Sequence, residues 1–185
     1  MNTDDRRVRK TKKALKEGLA ELMLEKELRN ITVKELTDKA DIHRATFYSH
    51  FLDVYDLYEQ MENTAFEELS SIIVSDPTHT YNGIFNVVIN YVYHNGKMCR
   101  LFLDRTLNRS FYDRISIFLE EKYSEIYLFE SGQSEITEEW KYMVNYHMQG
   151  CLSIISRWVK DNFACPKEKI VEIIEKVDTN FDKLQ

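Results

Sequence analysis

The chain has 185 residues with a formal net charge of −6, and 43% of its residues are hydrophobic while 30% are charged. That balance supports one or two globular domains with a sizeable core and excludes a disordered chain. No apolar run approaches membrane-spanning length and the N-terminus lacks a signal-peptide core, while Cys99, Cys151 and Cys165 have no metal-ligand spacing and cannot pair completely; a cytoplasmic protein with reduced thiols, no membrane, no metal and no cofactor is expected.

Only five Gly and two Pro punctuate the chain, and no internal repeat appears. The periodicity predicts an all-α protein of about nine helices. The first spans about Asp5 to Glu25, with Val8, Leu15, Leu19, Leu22 and Met23 as its inward stripe. Its opening is basic: Arg6, Arg7, Arg9, Lys10, Lys12, Lys13 and Lys16 stand against Asp4 and Asp5. Residues 1–58 carry twelve Lys/Arg and eleven Asp/Glu, leaving thirteen against twenty for residues 59–185, so the acidity sits in the second part. Such a basic cluster binds phosphates by releasing counterions; a solvated helix face is the plainer alternative.

Residues 32–58 then pack two short amphipathic helices and a tight turn into a small space, the layout of a DNA-reading helix-turn-helix. Thr32 and Glu35 form a capping-box pattern, and Val33, Leu36 and Ala40 share one face. Asp41 falls where the chain reverses, and aspartate tolerates the left-handed backbone such turns need. The second helix begins near Arg44. At 100° per residue Phe47 and Phe51 point inward, Ala45 and Ser49 outward, with Thr46 and His50 on one edge and Tyr48 on the other. Short outward side chains permit close approach to a major groove, where flanking donors meet phosphates, and Arg44 occupies the end from which recognition helices touch bases.

The ordered string Ile31-Thr32-Val33, Leu36, Ala40, Ile42, Thr46-Phe47-Tyr48-Ser49-His50-Phe51 and Asp56-Leu57 resembles the DNA-binding domain of the tetracycline-repressor family of transcriptional regulators, over residues of roughly 9–58. The resemblance implies phosphate contacts from Thr32, Tyr48 and His50, and base or backbone contacts from His43, Arg44, Ala45 and Thr46, with Ser49 on the same outward face. Three positions depart from the family pattern: Asp41 replaces a glycine, His43 a small polar cap, and Val54 a lysine that would contact phosphate.

Helix four starts after the N-cap Asp53 and carries Leu57, Tyr58, Met61, Ala65, Leu69, Ile72 and Ile73 to a break at Asp76-Pro77. Domains are expected at 1–53, a helix-turn-helix unit, and 54–185, a helical ligand-binding and dimerisation unit. Helix five covers about Thr80 to His94 and stops at Asn95-Gly96; helix six is short, about Lys97 to Arg105; helix seven runs from about Phe111 to Phe129. Helix eight, about Thr137 to Asn162, is apolar on more than one side, and helix nine, about Pro166 to Phe181, presents Ile170, Ile173, Ile174, Val177 and Phe181. Two such helices per subunit would form a four-helix bundle across a two-fold axis, which the family resemblance also implies. The segment from Gly150 to Trp158 with the helix after it is similar to the branch containing dihydroxyacetone-kinase operon regulators.

Enzyme chemistry finds little support. There is no Gly-rich phosphate loop, H-E-x-x-H or G-x-S-x-G. His147 and Cys151 share a helix face, but core packing explains both better than a metal or an activated thiol, so no catalytic residue is assigned. The tyrosines and phenylalanines of the second domain instead suit a cavity with apolar walls and a few polar handles, and Tyr91, Phe118, Tyr123, Tyr146 and His147 are the candidates to line it between helices five, seven and eight. The expected function is a homodimeric regulator, joined through helices eight and nine, that binds a palindromic double-stranded DNA operator, acts as a repressor and answers to an unknown small-molecule effector. The alternative is a co-activator whose second domain binds a protein partner.

Overall fold

Side-chain caps set where several helices begin. The computed structural model describes residues 3–75, 80–103 and 109–182. Among them are nine α-helices and no strand: α1 Thr3–Glu25, α2 Val33–Ala40, α3 Arg44–Tyr48, α4 Val54–Val74, α5 Tyr81–His94, α6 Gly96–Phe102, α7 Arg109–Ser131, α8 Glu138–Lys160 and α9 Lys167–Asp182, with a turn of 3₁₀ helix at Leu28–Asn30. The chain packs as two units that divide between Ala65 and Phe66, inside α4. The expected break at Asp76-Pro77, His79 and the end of helix six at Arg105 lie outside the described residues.

In the first unit the core is Leu15, Leu19 and Leu22 of α1, Leu36 of α2, Phe47 of α3, Phe51, and Val54, Leu57 and Met61 of α4. Val8 is exposed, so the inward stripe of α1 starts one turn later than its periodicity suggests. The ion pair Lys39–Glu21, at 3.2 Å, ties α2 to α1. Val54 is buried, so the position where the family has a phosphate-binding lysine is here a core residue. Its neighbours complete a reciprocal cap: Asp53 accepts from the Asp56 amide and the Asp56 carboxylate accepts from the Leu52 amide, both at 2.8 Å. These bonds, led by the Leu52 amide, hold the Asp56 carboxyl below its ordinary range.

In the second unit α8 packs against both α7 and α9, and α5 packs on α9. Thr137 caps α8 by accepting from the Trp140 amide. The buried face of α8 runs Trp140, Val144, His147, Met148, Cys151, Leu152, Ile155, Trp158 and Val159. That width is explained by three neighbours at once, α6, α7 and α9. Gly96 does not stop helix five in a left-handed turn: Asn95 caps α5 and Gly96 opens α6. The glycine is needed for packing, since a Cβ there would lie 2.7 Å from the ring of Phe163. Phe163 is itself left-handed at φ 58°, following Asn162 at φ 55°, and its amide closes the end of α8 on the Trp158 carbonyl.

Candidate nucleic-acid interface and the core of the second unit

The capping box forms as the spacing requires. The Glu35 amide donates to Thr32 Oγ1 at 3.2 Å, and Glu35 Oε2 accepts from both the Thr32 amide and hydroxyl. Lys26 donates to the other carboxylate oxygen, and with these bonds the Glu35 carboxyl is pulled down to about 2. The Thr32 hydroxyl proton is therefore already engaged, which makes Thr32 a cap before it is a DNA contact. Asp41 adopts φ 54° and ψ 46°, the left-handed geometry expected of it.

After this turn α3 is only five residues long, and His43 precedes it as an N-cap whose side chain makes no capping bond. Phe47 and Phe51 anchor it from below, their rings 5.6 Å apart, and Tyr48 meets Phe47 edge-on. That anchoring leaves His43, Arg44, Ala45, Tyr48 and Ser49 exposed and Thr46 and His50 half-buried. Tyr48 is 58% exposed. Ser49 donates back to the Thr46 carbonyl at 2.7 Å, leaving its oxygen as an acceptor toward solvent. All eight predicted residues thus lie on the α2–turn–α3 segment, with seven on or immediately beside α3. Lys12 of the basic cluster holds its ammonium 5.8 Å above the Phe51 ring, and sequence reasoning passed over Tyr55, exposed in the first turn of α4.

The five residues expected around a cavity do not converge. Tyr146 is 79% exposed, because it is turned 100° from His147 and away from the buried face of α8. Tyr91 is half-buried and donates to Glu68 of α4; burial, then the Glu68 charge, raises its phenol. Phe118 packs edge-on against Phe66, and that ring carries the Arg114 guanidinium on its face. Only Tyr123 and His147 come together, and they do so on Asp178 of α9, which sequence reasoning missed. The Tyr123 hydroxyl donates to Asp178 Oδ1 at 2.6 Å, and His147 Nε2 lies 2.7 Å from the same oxygen. Phe181 stacks on the imidazole at 4.2 Å, with Phe85 edge-on to it. Asp178 Oδ2 has no hydrogen bond among the described residues. The signal for Asp178 was a carboxylate in register with Ile170, Ile174 and Phe181 on an apolar stripe.

Cys151 Sγ also faces His147 Nε2, at 3.9 Å. A thiol-activating triad needs the carboxylate on one imidazole nitrogen and the thiol on the other; here both address the same nitrogen. Burial and the Asp178 charge moreover raise the Cys151 thiol, and burial pushes the Cys99 thiol up to about 12, so neither is poised as a nucleophile. Among the described residues no group of His, Cys, Asp and Glu is placed to hold a metal, and no helix is long and apolar enough to cross a membrane. A recess of about 130 Å³ opens among Ile73, Ile84, Lys122 and Ile126, bordered by α4, α5 and α7 and by none of the five expected residues.

Residues 79–179 match the family model described as the TetR-type transcriptional regulator C-terminal region. A 58-residue stretch is 38% identical to the HTH-type transcriptional regulator YxbF of Bacillus subtilis (strain 168), covering 31% of this chain and 15% of that protein. Solved structures with the same fold include a tetR-family transcriptional regulator from Streptomyces coelicolor, with a TM-score of 0.66, 15% identity and coverage of 100% of this chain and 82% of that one. The dihydroxyacetone kinase operon activator DhaS gives a TM-score of 0.64 at 16% identity, over 93% and 96% of the two chains. With the family model spanning more than half of its length, and a helix-turn-helix ahead of the matched region, this chain belongs to the TetR family of transcriptional regulators.

Proposed function

We propose that the protein is a homodimeric, ligand-responsive repressor that binds a palindromic operator through α3 and releases it when a small molecule occupies the second unit. The observation that carries the DNA reading is the split of α3 into a buried aromatic underside and an exposed face of short and donor-bearing side chains, Arg44, Ala45, Tyr48 and Ser49. A single helix this short covers few base pairs, so specificity needs two copies at successive major grooves. Dimerisation is assigned to α8 and α9, where Ile173 and Val177 remain half-buried.

The effector reading now rests on Tyr123, His147 and Asp178 rather than on the five residues first expected. They supply polar handles inside an aromatic shell of Phe85, Trp140 and Phe181, and Asp178 Oδ2 is a buried acceptor with no hydrogen bond among the described residues, which a donor on a ligand would satisfy. A ligand that binds one spacing of the recognition helices better than another shifts operator occupancy by that difference alone, with α4 as the connecting lever. The co-activator alternative draws support from DhaS, a structural neighbour described as an activator. Sequencing genomic DNA retained by the purified protein, followed by a reporter driven from that site, tests both. A reporter that rises when the protein is removed supports repression, one that falls supports activation, and retention of no defined sequence overturns the operator reading.

A further inference from the structure

We propose that α8 pairs antiparallel with α8 of a second copy about a two-fold axis between Gln149 and Gly150. Glu139 then meets the partner's Lys160, Tyr142 the partner's Arg157, and Tyr146 the partner's Ser153. This rests on the homodimer reading above and gives it a register.

Opposite the buried face of α8 lies a stripe of exposed residues: Glu139, Tyr142, Tyr146, Ser153, Arg157 and Lys160. Their spacings read three, four, seven, four and three, the same from either end. A two-fold interface has exactly this requirement, since residue i meeting residue j obliges j to meet i. Each pair is centred on one point between residues 149 and 150. The chemistry agrees pair by pair: carboxylate with ammonium, phenol ring with guanidinium, phenol hydroxyl with serine hydroxyl. Parallel pairing would instead oppose Glu139 to itself and Arg157 to itself. The first turn of α8 is acidic, with Glu138 and Glu139, and the last is basic, with Arg157 and Lys160, so antiparallel ends also attract.

The axis falls beside Gly150. A Cβ there would meet nothing within 4 Å, so packing within the chain does not require glycine in mid-helix, where it is a poor former. A second helix crossing closely at that point does. The flanking rings are large and uncovered, Tyr142 at 78% and Tyr146 at 79% exposure. Among the described residues the side chains of Glu139, Tyr142, Tyr146 and Lys160 make no hydrogen bond or ion pair. Arg157 has only an exposed pairing with Asp161 at 3.4 Å, which leaves its face available to a ring. Beside it a groove of about 570 Å³ is lined by Ile154, Arg157, Trp158, Asp161 and Ile173. The partner's Tyr142, opposite Arg157, is the side chain placed to enter it, which joins the α8 stripe to Ile173 on α9.

Charge reversal tests the register. Glu139→Lys and Lys160→Glu should each weaken the dimer at least fivefold in sedimentation equilibrium, and the double exchange should restore it to within twofold of the starting protein. In a Cys165→Ser background, a chain carrying Tyr146→Cys and Ser153→Cys should oxidise to a covalent dimer, whereas either single substitution should not. A starting protein that dimerises but is indifferent to the reversals and does not cross-link overturns the register while leaving the dimer. A starting protein that stays monomeric at concentrations where it binds DNA overturns both.

Discussion

His147 is held through Nε2 to Asp178 Oδ1 at 2.7 Å, with the two side chains only 2% and 1% exposed. With a carboxylate as acceptor, Nε2 carries the hydrogen, which fixes the orientation of the ring between Phe181 and Phe85. Tyr123 completes the arrangement from α7, so one carboxylate oxygen joins three helices. Any ligand that takes a place beside Asp178 must disturb contacts of α7, α8 and α9 together.

The three-way junction should be strongly asymmetric to mutation. Asp178→Ala removes the buried acceptor shared by the Tyr123 hydroxyl and the His147 N–H and should destabilise the second unit by about 3–5 kcal/mol. Tyr123→Phe removes one donor and leaves Asp178 Oδ1 still bonded to His147, for a loss of about 1 kcal/mol. Urea unfolding followed by tryptophan fluorescence checks this, since Trp140 lies against Tyr123 and Phe181. Equal losses from the two substitutions would mean that Asp178 is not the shared acceptor.

Gly96 and Phe163 give a prediction whose sign opposes helix propensity. Alanine in place of a helical glycine ordinarily stabilises by roughly 0.5–1 kcal/mol. Here the added methyl meets the Phe163 ring, which is boxed by Tyr93 and Trp158. Gly96→Ala should therefore destabilise, by about 1–3 kcal/mol as overpacking does. Combined with Phe163→Ala, the same substitution should become neutral or stabilising; thermal unfolding of the four variants closes the cycle, and additive effects would deny the contact.

What the sequence makes legible is mainly what acts over one helical turn. The caps Thr32/Glu35 and Asp53/Asp56 and the left-handed Asp41 each depend on neighbours within a few positions, and their spacing alone carries the geometry. The core of the second unit is different. Asp178 takes its partners from 31 and 55 positions away, so its role is invisible until α7, α8 and α9 are packed. Gly96 has the local signature of a helix stop, yet a ring from beyond α8 decides its place. Aromatic residues crowd this region of the sequence, which makes Tyr146 look like a companion of His147, although one step along a helix turns a side chain through 100°.

Glu35 makes the first unit acid-sensitive in a definite window. Its carboxyl is held at about 2, first by Lys26 and then by the Thr32 amide and hydroxyl, against an ordinary 4.5. The fold therefore favours the ionised form, and that contribution is complete above about 4.5 and lost as pH falls toward 2. Glu172, held down to about 2 by Lys169 and Lys176, adds a similar loss from α9. Glu35→Gln should flatten the dependence of Tm on pH between those limits without removing the Glu172 part. The side chain is exposed, so the effect should shrink in high salt. Parallel profiles for variant and starting protein would show that the cap is indifferent to charge.

Contacts on α3 should separate by what they touch. Arg44, exposed at the first helical position, is placed for base edges, and Arg44→Ala should relax one position in each half-site, with each lost base contact worth roughly 1–3 kcal/mol. Tyr48→Phe and His50→Ala should weaken operator and unrelated DNA about equally, since phosphates carry no sequence information. Thr32→Ala differs from both. Its hydroxyl is engaged with Glu35, so the substitution removes a cap and should lower the stability of the first unit by about 1 kcal/mol. Its effect on DNA should then follow the loss of folded protein and vanish at temperatures where the unit remains folded. Fluorescence anisotropy with operator, half-site variants and random duplex, repeated across salt concentrations, measures all four. If Arg44→Ala lowers affinity for every duplex by the same factor, Arg44 is a phosphate contact and base reading must lie elsewhere on the exposed face of α3.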